Sequence, residues 1–528
     1  MTRLVFIYLF LAALLALALR LPHLDQRPMH NDEAVNAVKF GRLWEHGVYR
    51  YDPNEHHGPS LPYATLALGR LTGAPDFDHF SEVRLRLVTV LFGLALLLPL
   101  PLLMDGLGRR GLIWAGLFTA VSPAMVFYSR YYIHEMLLVF FTFLALAAGW
   151  RYWRSRKPGW ILLAGASLGL MQATKETFVL TLAAAALALL LNQFWGRLLD
   201  ASGLPGKARP VNVGHLAAGA GVWILVWAVL LSSFLANPVG LLDSFRTYQP
   251  WLHRLHGASA HLHSCLFYPH RLLYFHVAPG PIWSEALILA LAIVAGLAGF
   301  VRHGLGRADA NLVRFLALYT LLLTAIYSLL PYKTPWCLLS FWHGMILLAG
   351  VGAGVLLRKV GLGARRMVCA ALLLAGVAHL AWQAWQAATT YAADRRNPYV
   401  YAQTSPDLLR LVSQIESLAA VAPQGHNLLI KGMTAQGDCW PLPWSLRQFQ
   451  QIGWWDHLLP DPYAPVMIVS AQWEAKLDEK KTHLMVGYFE LRPQVFLELY
   501  VQADLWRAWL EKHPPREATT AQSPDDRQ

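Results

Sequence analysis

The chain has 528 residues, of which 55% are hydrophobic and 14% are charged, and its mean hydropathy is +0.36. A soluble domain usually carries about 25% charged residues, so this composition excludes one large soluble core and predicts a polytopic membrane protein. The formal net charge of +12 does not indicate nucleic-acid binding, because the basic residues lie mostly between apolar segments and form no basic stripe with interleaved aromatic residues.

Apolar segments suited to membrane helices recur along the first three quarters of the chain. A helix needs about 20 apolar residues to cross the hydrocarbon layer. The predicted spans are 4–20, 87–104, 112–128, 136–150, 159–174, 177–195, 214–235, 283–301, 312–330, 337–357 and 367–385. The predicted fold class is therefore mainly α, a bundle of about eleven membrane helices. The first segment also permits a secretory-signal interpretation, because Ala16-Leu17-Ala18 resembles a cleavage site.

The short connections differ in charge from one side of the bundle to the other. Alternate connections carry Arg109, Arg110, Arg151, Arg154, Arg156, Lys157, Arg197, Lys207, Arg209, Arg302, Arg307, Arg314, Arg358, Lys359, Arg365 and Arg366. The opposite connections hold mainly Arg130, Lys175 and Lys333. The positive-inside rule then predicts a cytoplasmic N-terminus in an inner (cytoplasmic) membrane. Two long loops, 21–86 and 237–281, and the C-terminal region are predicted to be extracytoplasmic.

The predicted domains are a transmembrane domain over 1–389, a soluble extracytoplasmic domain over 390–513 and a disordered polar tail over 514–528. Strand-like runs at 428–430, 466–469 and 484–487, flanked by helix-like stretches at 404–421 and 502–512, indicate that the soluble domain is a small α/β domain. In the first long loop, the spacing of apolar residues over 32–44 is compatible with a short amphipathic helix on the membrane, capped by Asn31 or Asp32.

Two adjacent carboxylates, Asp32 and Glu33, lie about a dozen residues after the first predicted span. One interpretation is a helix start, where acidic residues favour the helix dipole. The other is a reactive pair held at a fixed distance from the membrane by the preceding helix.

Uncommon polar side chains also collect in the predicted outer turns: His56, His57, Arg130, Tyr131, His134, Glu135, Lys175, Tyr332 and Lys333. Singly, each can be an interface anchor, and Arg130 and Glu135 can form an ion pair that only shapes a turn. Together they supply carboxylates, cations and aromatic rings at one depth. Such a set suits an anionic lipid-phosphate head group and a sugar.

The second long loop is rich in histidines, at His253, His256, His261, His263, His270 and His276. Spacings of this kind can ligate zinc, but no carboxylate or cysteine pattern completes a ligand set. We expect these to be loop or interfacial histidines. No metal site is predicted, and a divalent cation at the phosphate is left open.

The acidic pair after the first helix, the His56-His57-Gly58-Pro59 turn and the Arg-Tyr…acidic turn after the third helix together resemble the GT-C glycosyltransferases. Within them the chain is similar to protein O-mannosyltransferases, to the lipid A aminoarabinose transferase and to a bacterial and archaeal branch named for an association with flippase activity. The resemblance covers about the first 350 residues. It implies a polyprenyl-phosphate sugar donor, used on the outer side of the membrane, and a lipid, glycan or protein acceptor.

The resemblance also implies roles for single residues. Asp32 would be the base that activates the acceptor, Glu33 its partner, and Glu135 the second acidic position. His56 and His57 stand where the aminoarabinose transferase has Glu-Lys. Since His57 is only conditionally charged, Lys175 and Lys333 are expected to take over the donor phosphate. One carboxylate base is enough for an inverting transfer.

Two other classes of protein remain open at this point. A lipid-linked-glycan transporter or flippase-associated protein should carry charges in mid-membrane, and the predicted spans have almost none. A membrane assembly scaffold would bind a partner through its outer domain. It would tolerate changes at Asp32 and fail on deletion after about Asp394.

Overall fold

The computed structural model describes residues 2–54, 57–199, 211–256 and 261–514. The chain forms two compact units, each defined by the contacts that its residues make with one another. The first contains the chain up to Arg27 and the segment Asn36–Tyr401. The second contains the short segment Pro28–Val35 and the chain from Ala402 onwards.

The first unit is built almost entirely from helices. They are α1 (Thr2–Arg20), α2 (Asn31–His46, which begins in the second unit's short segment), α3 (Ser60–Leu71), α4 (Glu82–Ala95), α5 (Met104–Val121), α6 (Pro123–Ser129), α7 (Glu135–Ser155), α8 (Pro158–Gln172), α9 (Phe178–Leu199), α10 (Val213–Leu231), α11 (Val239–Arg246), α12 (Tyr248–His256), α13 (Phe267–Leu273), α14 (Ala286–Val301), α15 (Ala310–Leu329), α16 (Leu339–Lys359) and α17 (Ala364–Ala388).

Each predicted span falls on a helix of this unit, namely α1, α4, α5, α7, α8, α9, α10, α14, α15, α16 or α17. The mainly helical fold class is therefore confirmed. In the described part of the chain, eight segments are long and apolar enough to cross a membrane by length and composition. The number of spans, eleven, stays a prediction.

Prolines move two span boundaries away from their predicted positions. The predicted span 87–104 is not one helix, because α4 ends at Ala95 and a 3₁₀ turn, Leu100–Leu103, follows Pro99. The predicted span 112–128 is likewise broken at Ser122, after which Pro123 opens α6. Proline lacks the N–H group that would continue a helix, so each helix stops before it.

Helix α16 is the most buried of the long apolar helices, because 94% of the residues in its apolar stretch lie inside the protein. It packs between α5 and α14. A β-carbon on Gly352 would overlap the carbonyl oxygen of Leu291 on α14, so only glycine permits this approach. Small residues are the usual means by which membrane helices come this close.

The first unit continues to Tyr401, beyond the predicted boundary at 389. The cause is a buried carboxylate, Glu285, which accepts hydrogen bonds from Tyr399 Oη (2.6 Å), Ser122 Oγ (2.5 Å) and Trp342 Nε1 (3.1 Å). Satisfying a buried carboxylate in this way holds the chain after α17 against the bundle.

The second unit contains a five-stranded mixed sheet with strand order β2-β1-β3-β5-β4. The strands are β1 (Ile430–Met433), β2 (Ile452–Trp455), β3 (Val466–Ser470), β4 (His483–Arg492) and β5 (Val495–Gln502). Strand β1 pairs in parallel with β2 and β3, whereas β5 runs antiparallel to β3 and β4. The expected small α/β domain is therefore present.

Helices α18 (Asp407–Ala419), α19 (Leu442–Ser445) and α20 (Ala503–Lys512) complete this unit. The buried face of α18 carries Leu408, Leu411, Ile415 and Leu418 at helical spacing, in one cluster with sheet residues such as Ile468.

Two hydrogen bonds attach the segment Pro28–Val35 to the start of this unit. Thr404 Oγ1 donates to the carbonyl of Met29 at 2.7 Å, and Gln403 Nε2 donates to that of Pro28 at 3.1 Å.

Candidate functional site

A buried ion pair joins two helix ends in the first unit. Glu135 is the first residue of α7, and Lys175 follows the end of α8. The Lys175 Nζ donates to Glu135 Oε1, and the two side chains are only 6% and 4% exposed. Burial alone would lower the pKa of Lys175, but the negative charge of Glu135 outweighs it and the pKa is raised. Lys175 is therefore charged at neutral pH.

A histidine–carboxylate pair lies beside this ion pair. His57 Nδ1 is 2.8 Å from Glu176 Oε2. Burial raises the pKa of Glu176, but His57 and Lys175 more than reverse this and bring the pKa to about 2. Since an ionised carboxylate only accepts, His57 Nδ1 must carry hydrogen, and its Nε2 is left to face another group.

The loop that holds His57 is fixed by backbone contacts. The Gly58 N–H donates to Thr174 O at 3.0 Å, and a β-carbon at Gly58 would overlap the carbonyl of Ala173. Glycine is thus required at this position, which explains the His-Gly-Pro turn seen in the sequence.

His134 meets the same loop from the other side. Its Nε2 is 3.0 Å from the carbonyl oxygen of Gly58, so Nε2 carries the hydrogen. Burial, followed by the charges of His57 and Lys175, holds the pKa of His134 well below its usual range. The ring is therefore neutral, and its Nδ1 is an acceptor that has no hydrogen-bond partner within the described residues.

Arg130 and Tyr131 face a different region. The Arg130 guanidinium donates to the carbonyls of Arg20 (2.9 Å), Pro22 (2.6 Å) and His23 (3.0 Å), which closes the end of α1. Burial and then the neighbouring Arg27 and Arg86 lower the pKa of Arg130 to about 9.

These contacts exclude the expected Arg130–Glu135 ion pair, because Glu135 pairs with Lys175 instead. The ring of Tyr131 lies under the guanidinium of Arg27, 3.6 Å from its carbon.

Lys333 is buried by the chain segment that precedes α13. Its Nζ donates to the carbonyls of His263 (2.9 Å) and Leu330, and burial lowers its pKa. Tyr332 packs on His261, with ring centroids 5.0 Å apart.

The predicted loop histidines make ordinary contacts where they are described. His261 Nδ1 and His263 Nε2 both meet the hydroxyl of Tyr401, at 2.7 and 3.0 Å. Within the described ranges, no group of three or more histidine, cysteine or acidic side chains could hold a metal ion. His56 lies outside the described residues.

Arg271, on α13, is a cation that the sequence reasoning missed. Its guanidinium carbon lies 3.6 Å from the ring centroid of Phe267, and its Nε is buried with no partner in the described chain. Burial lowers its pKa. Tyr128 is close enough to interact electrostatically with both Arg271 and Glu135, so the arginine belongs to the neighbourhood of the ion pair.

The acidic pair predicted from sequence splits into two different environments within the second unit. Glu33 is buried, and its Oε2 accepts the backbone N–H of His30 at 2.9 Å. This is the glutamate half of a capping box at the start of α2. Asp32 is 43% exposed, with its Oδ1 3.9 Å from His30 Nδ1.

Comparison with known proteins gives matches at the level of sequence family and of fold. Residues 57–205 match the sequence model of the family described as dolichyl-phosphate-mannose-protein mannosyltransferase. No curated protein matches this chain by sequence.

Two solved structures superpose over most of the chain. ArnT from Cupriavidus metallidurans, bound to undecaprenyl phosphate, shares 17% identity and a TM-score of 0.59, covering 96% of this chain and 99% of that one. The oligosaccharyltransferase of Archaeoglobus fulgidus, tethered with an acceptor peptide, shares 12% identity and a TM-score of 0.54, covering 96% of this chain and 76% of that one.

The chain has the GT-C fold. This confirms the resemblance noted in the sequence. With its eight long apolar segments, the GT-C chain is a multi-pass membrane protein.

Within this GT-C bundle, the structure brings His57, His134, Glu135 and Lys175 together in one cluster. Glu176, adjacent to Lys175 in sequence, completes it. Glu176 was visible in the sequence as the neighbour of a lysine in a predicted turn, but nothing there indicated its bond to His57. Arg271 gave no signal, because one arginine among many in a histidine-rich loop is not distinctive.

Proposed function

We propose that the protein is a membrane glycosyltransferase. It moves a sugar from a polyprenyl-phosphate donor to a lipid, glycan or protein acceptor on the extracytoplasmic side of the membrane. The observation that carries this proposal is the cluster of buried, paired ionic groups at adjoining helix ends, in a fold whose solved example ArnT is bound to undecaprenyl phosphate. Buried charges are costly unless paired, and such clusters concentrate at functional sites.

The donor phosphate is proposed to meet cations whose charge is not fully compensated. Lys175 is matched by Glu135, and Lys333 already donates to two carbonyls. These lysines supply a positive field, while direct contacts come from Arg271 and from Nε2 of His57, which donates to the phosphate when both ring nitrogens carry hydrogen. Arginine is well suited to this role, because its planar fork of N–H groups matches phosphate oxygens.

Asp32 is proposed as the base. It is the accessible member of the acidic pair, whereas Glu33 is buried and caps a helix. The carboxylate takes the proton of the acceptor hydroxyl as that oxygen bonds to the anomeric carbon of the sugar. The bond from the anomeric carbon to the phosphate oxygen breaks on the opposite face, and polyprenyl phosphate leaves with the bonding electrons. One base on one face gives inversion.

The cations stabilise the charge that develops on the leaving phosphate. A hydrogen-bond donor that is already positioned in a water-poor site stabilises this charge more than the same group does in solvent, because it needs no reorganisation when the bond breaks. His134 and Tyr332 are proposed to line the sugar-binding part of the site, whereas Arg130 and Tyr131, which contact the end of α1 and Arg27, are not assigned to it. A resident metal is not part of this proposal.

The test uses the purified full chain in detergent with a set of polyprenyl-phosphate sugars. Release of polyprenyl phosphate is measured for the wild type and for Asp32→Asn. Removing a general base typically costs roughly 10²–10⁴ in rate, so we expect a loss of that size with folding intact. Asp78→Asn, an exposed carboxylate in the same predicted loop, is the matched control and should stay near the wild-type rate.

Donor contacts are tested separately by the affinity for polyprenyl phosphate alone. Losing a hydrogen bond to a charged group costs about 1.5–3 kcal/mol, so Arg271→Gln should weaken binding by roughly ten-fold or more. Full transfer by correctly folded Asp32→Asn would exclude Asp32 as the base. Unchanged affinity in Arg271→Gln would remove the arginine from the phosphate site.

A further inference from the structure

A cavity in the first unit has a volume of about 740 Å³. It lies between the second half of α2 and the chain segment 48–53 that follows it. Ligand pockets typically enclose about 300–1,000 Å³, so this space is large enough for a sugar or a lipid head group. None of the residues assigned above to the donor or to the base is among the described lining residues of this cavity.

The lining of the cavity is predominantly basic. Lys39, Arg42 and His46 lie on one face of α2 at spacings of three and four residues, and Arg50, in the following segment, lines the same cavity. Asp52 is the acidic residue of the described lining. Lys39 and Asp52 have partners within the protein.

The anion site is inferred from Arg42 and Arg50, because their charges are not paired within the described part of the protein. Both side chains are exposed, and in the described part of the chain neither makes a hydrogen bond or an ion pair. Two guanidinium groups that line one cavity, and whose charges are not paired in the described part of the chain, provide hydrogen-bond donors and positive charge for a planar or tetrahedral anion.

The back wall connects the cavity to the cluster described above. Tyr49 and Tyr51 are buried, and Tyr49 Oη donates to the carbonyl of His57 at 2.9 Å. Tyr51 is close enough to Glu176 to interact with it electrostatically. On the α2 side, Lys39 is close enough to His134 to interact in the same way. Tyr49, a wall residue of the cavity, is therefore bonded directly to the loop that carries His57.

We infer that this cavity binds a phosphate group of the acceptor. The identification of the ligand as the acceptor rests on the proposed function, but anion binding in the cavity can be tested without any sugar transfer. The phosphate can belong to a membrane lipid or to a soluble phosphorylated glycan, and the same arginines would recognise either.

Two probes distinguish these sources, with the full chain in detergent and no sugar donor present. The first is inorganic pyrophosphate, and the second is short-chain phosphatidic acid, with short-chain phosphatidylcholine as its neutral counterpart. Dissociation constants are measured for the wild type, for Arg42→Gln/Arg50→Gln and for Arg42→Lys/Arg50→Lys. Charge-assisted contacts are strong, so the glutamine pair should bind roughly 10-fold more weakly or worse, and the lysine pair should keep most of the affinity.

The control is Arg395→Gln/Lys481→Gln, which removes two exposed positive charges that are not among the described lining residues of the cavity. A selective loss for pyrophosphate supports a soluble phosphorylated acceptor, and a selective loss for phosphatidic acid supports a lipid. Equal affinities in the wild type and the glutamine pair would overturn the inference, as would an equal loss in the control pair. Since no donor is used, this failure is independent of the result for Asp32→Asn.

Discussion

Replacing Lys175 with methionine removes the opposite charge that accompanies the buried carboxylate of Glu135. Both side chains of the pair are more than nine-tenths buried, so solvent cannot take over the role of the lysine. The carboxylate must then either remain charged in a poor medium or take up a proton. Either route lowers the stability of the folded protein at neutral pH.

The size of the effect follows from the position of the pair. Removing one partner of a buried ion pair costs about 3–5 kcal/mol. Glu135 is the first residue of α7, where the helix dipole offsets roughly 0.3–1 kcal/mol of this cost. We therefore expect Lys175→Met to lose about 2–4 kcal/mol of unfolding free energy.

The measurement is the unfolding free energy in mixed micelles, followed by tryptophan fluorescence. Replacing both partners leaves no uncompensated charge, so Lys175→Met/Glu135→Gln should recover most of the stability. The double variant should still bind polyprenyl phosphate more weakly than the wild type, because the positive field of the lysine is gone.

Arg151→Met provides the comparison. Arg151 pairs with Asp105 in a partly exposed ion pair, and such pairs contribute only about 0–1 kcal/mol. The reasoning is refuted if Lys175→Met costs no more than Arg151→Met, or if the double variant is less stable than the single one.

Three further changes test other parts of the structure. Gly58→Ala places a β-carbon on the carbonyl of Ala173, so it should destabilise the His-Gly-Pro loop by a few kcal/mol, roughly the cost of overpacking, and abolish sugar transfer. Glu176 has a pKa of about 2 against an ordinary 4.5, so its contribution to stability is present above about pH 4.5 and is lost as the pH falls toward 2; Glu176→Gln should lose less stability than the wild type across that interval in acid unfolding. Thr404→Val removes the 2.7 Å bond to Met29, which should raise amide exchange in residues 28–35 and lower the transfer rate, at a stability cost of about 0.5–1.5 kcal/mol.

Each of these changes has a control in the same protein. Gly221→Ala, in a helix with open space around the glycine, should be neutral or slightly stabilising. His57→Gln should reproduce the reduced acid sensitivity of the glutamate variant, since the pair is shared. Ser417→Ala removes a hydrogen bond to Trp509 elsewhere in the second unit and should leave exchange in residues 28–35 unchanged. For the glycine and threonine changes, a wild-type response at the altered position, or the same response in the control, contradicts the prediction. For Glu176, a wild-type acid sensitivity in either Glu176→Gln or His57→Gln contradicts it.

The helices were predictable because the thickness of a membrane sets the length of an apolar segment. Hydropathy does not predict local breaks within a helix. Pro99 and Pro123 therefore interrupt two segments that hydropathy alone predicts as single helices. In the second unit, the buried run of β3 was expected at nearly its observed place. Strands β2 and β5 were missed, because β2 has only four residues, one of which is a glycine, and β5 directly follows β4 after a two-residue turn.

The sequence predicted which residues belong to the candidate site better than it predicted which of them form pairs. Glu135 and Lys175 were both expected in turns, but 40 residues separate them and no local pattern states that they meet. Arg130 was expected to face a substrate or Glu135, whereas its donors close a helix end more than 100 residues away. Pairing of this kind depends on how the helices pack, which is a property of the whole bundle.

The eight residues Pro28–Val35 belong, by their contacts, with a domain that starts almost 370 positions later. A chimaera that exchanges the chain from Ala402 onwards with a relative would therefore have to import this N-terminal octapeptide as well, or lose its two anchoring bonds. Deleting the C-terminal domain would likewise disturb the segment that carries Asp32. Truncation cannot by itself distinguish a transferase from a scaffold, and point substitutions are the informative route.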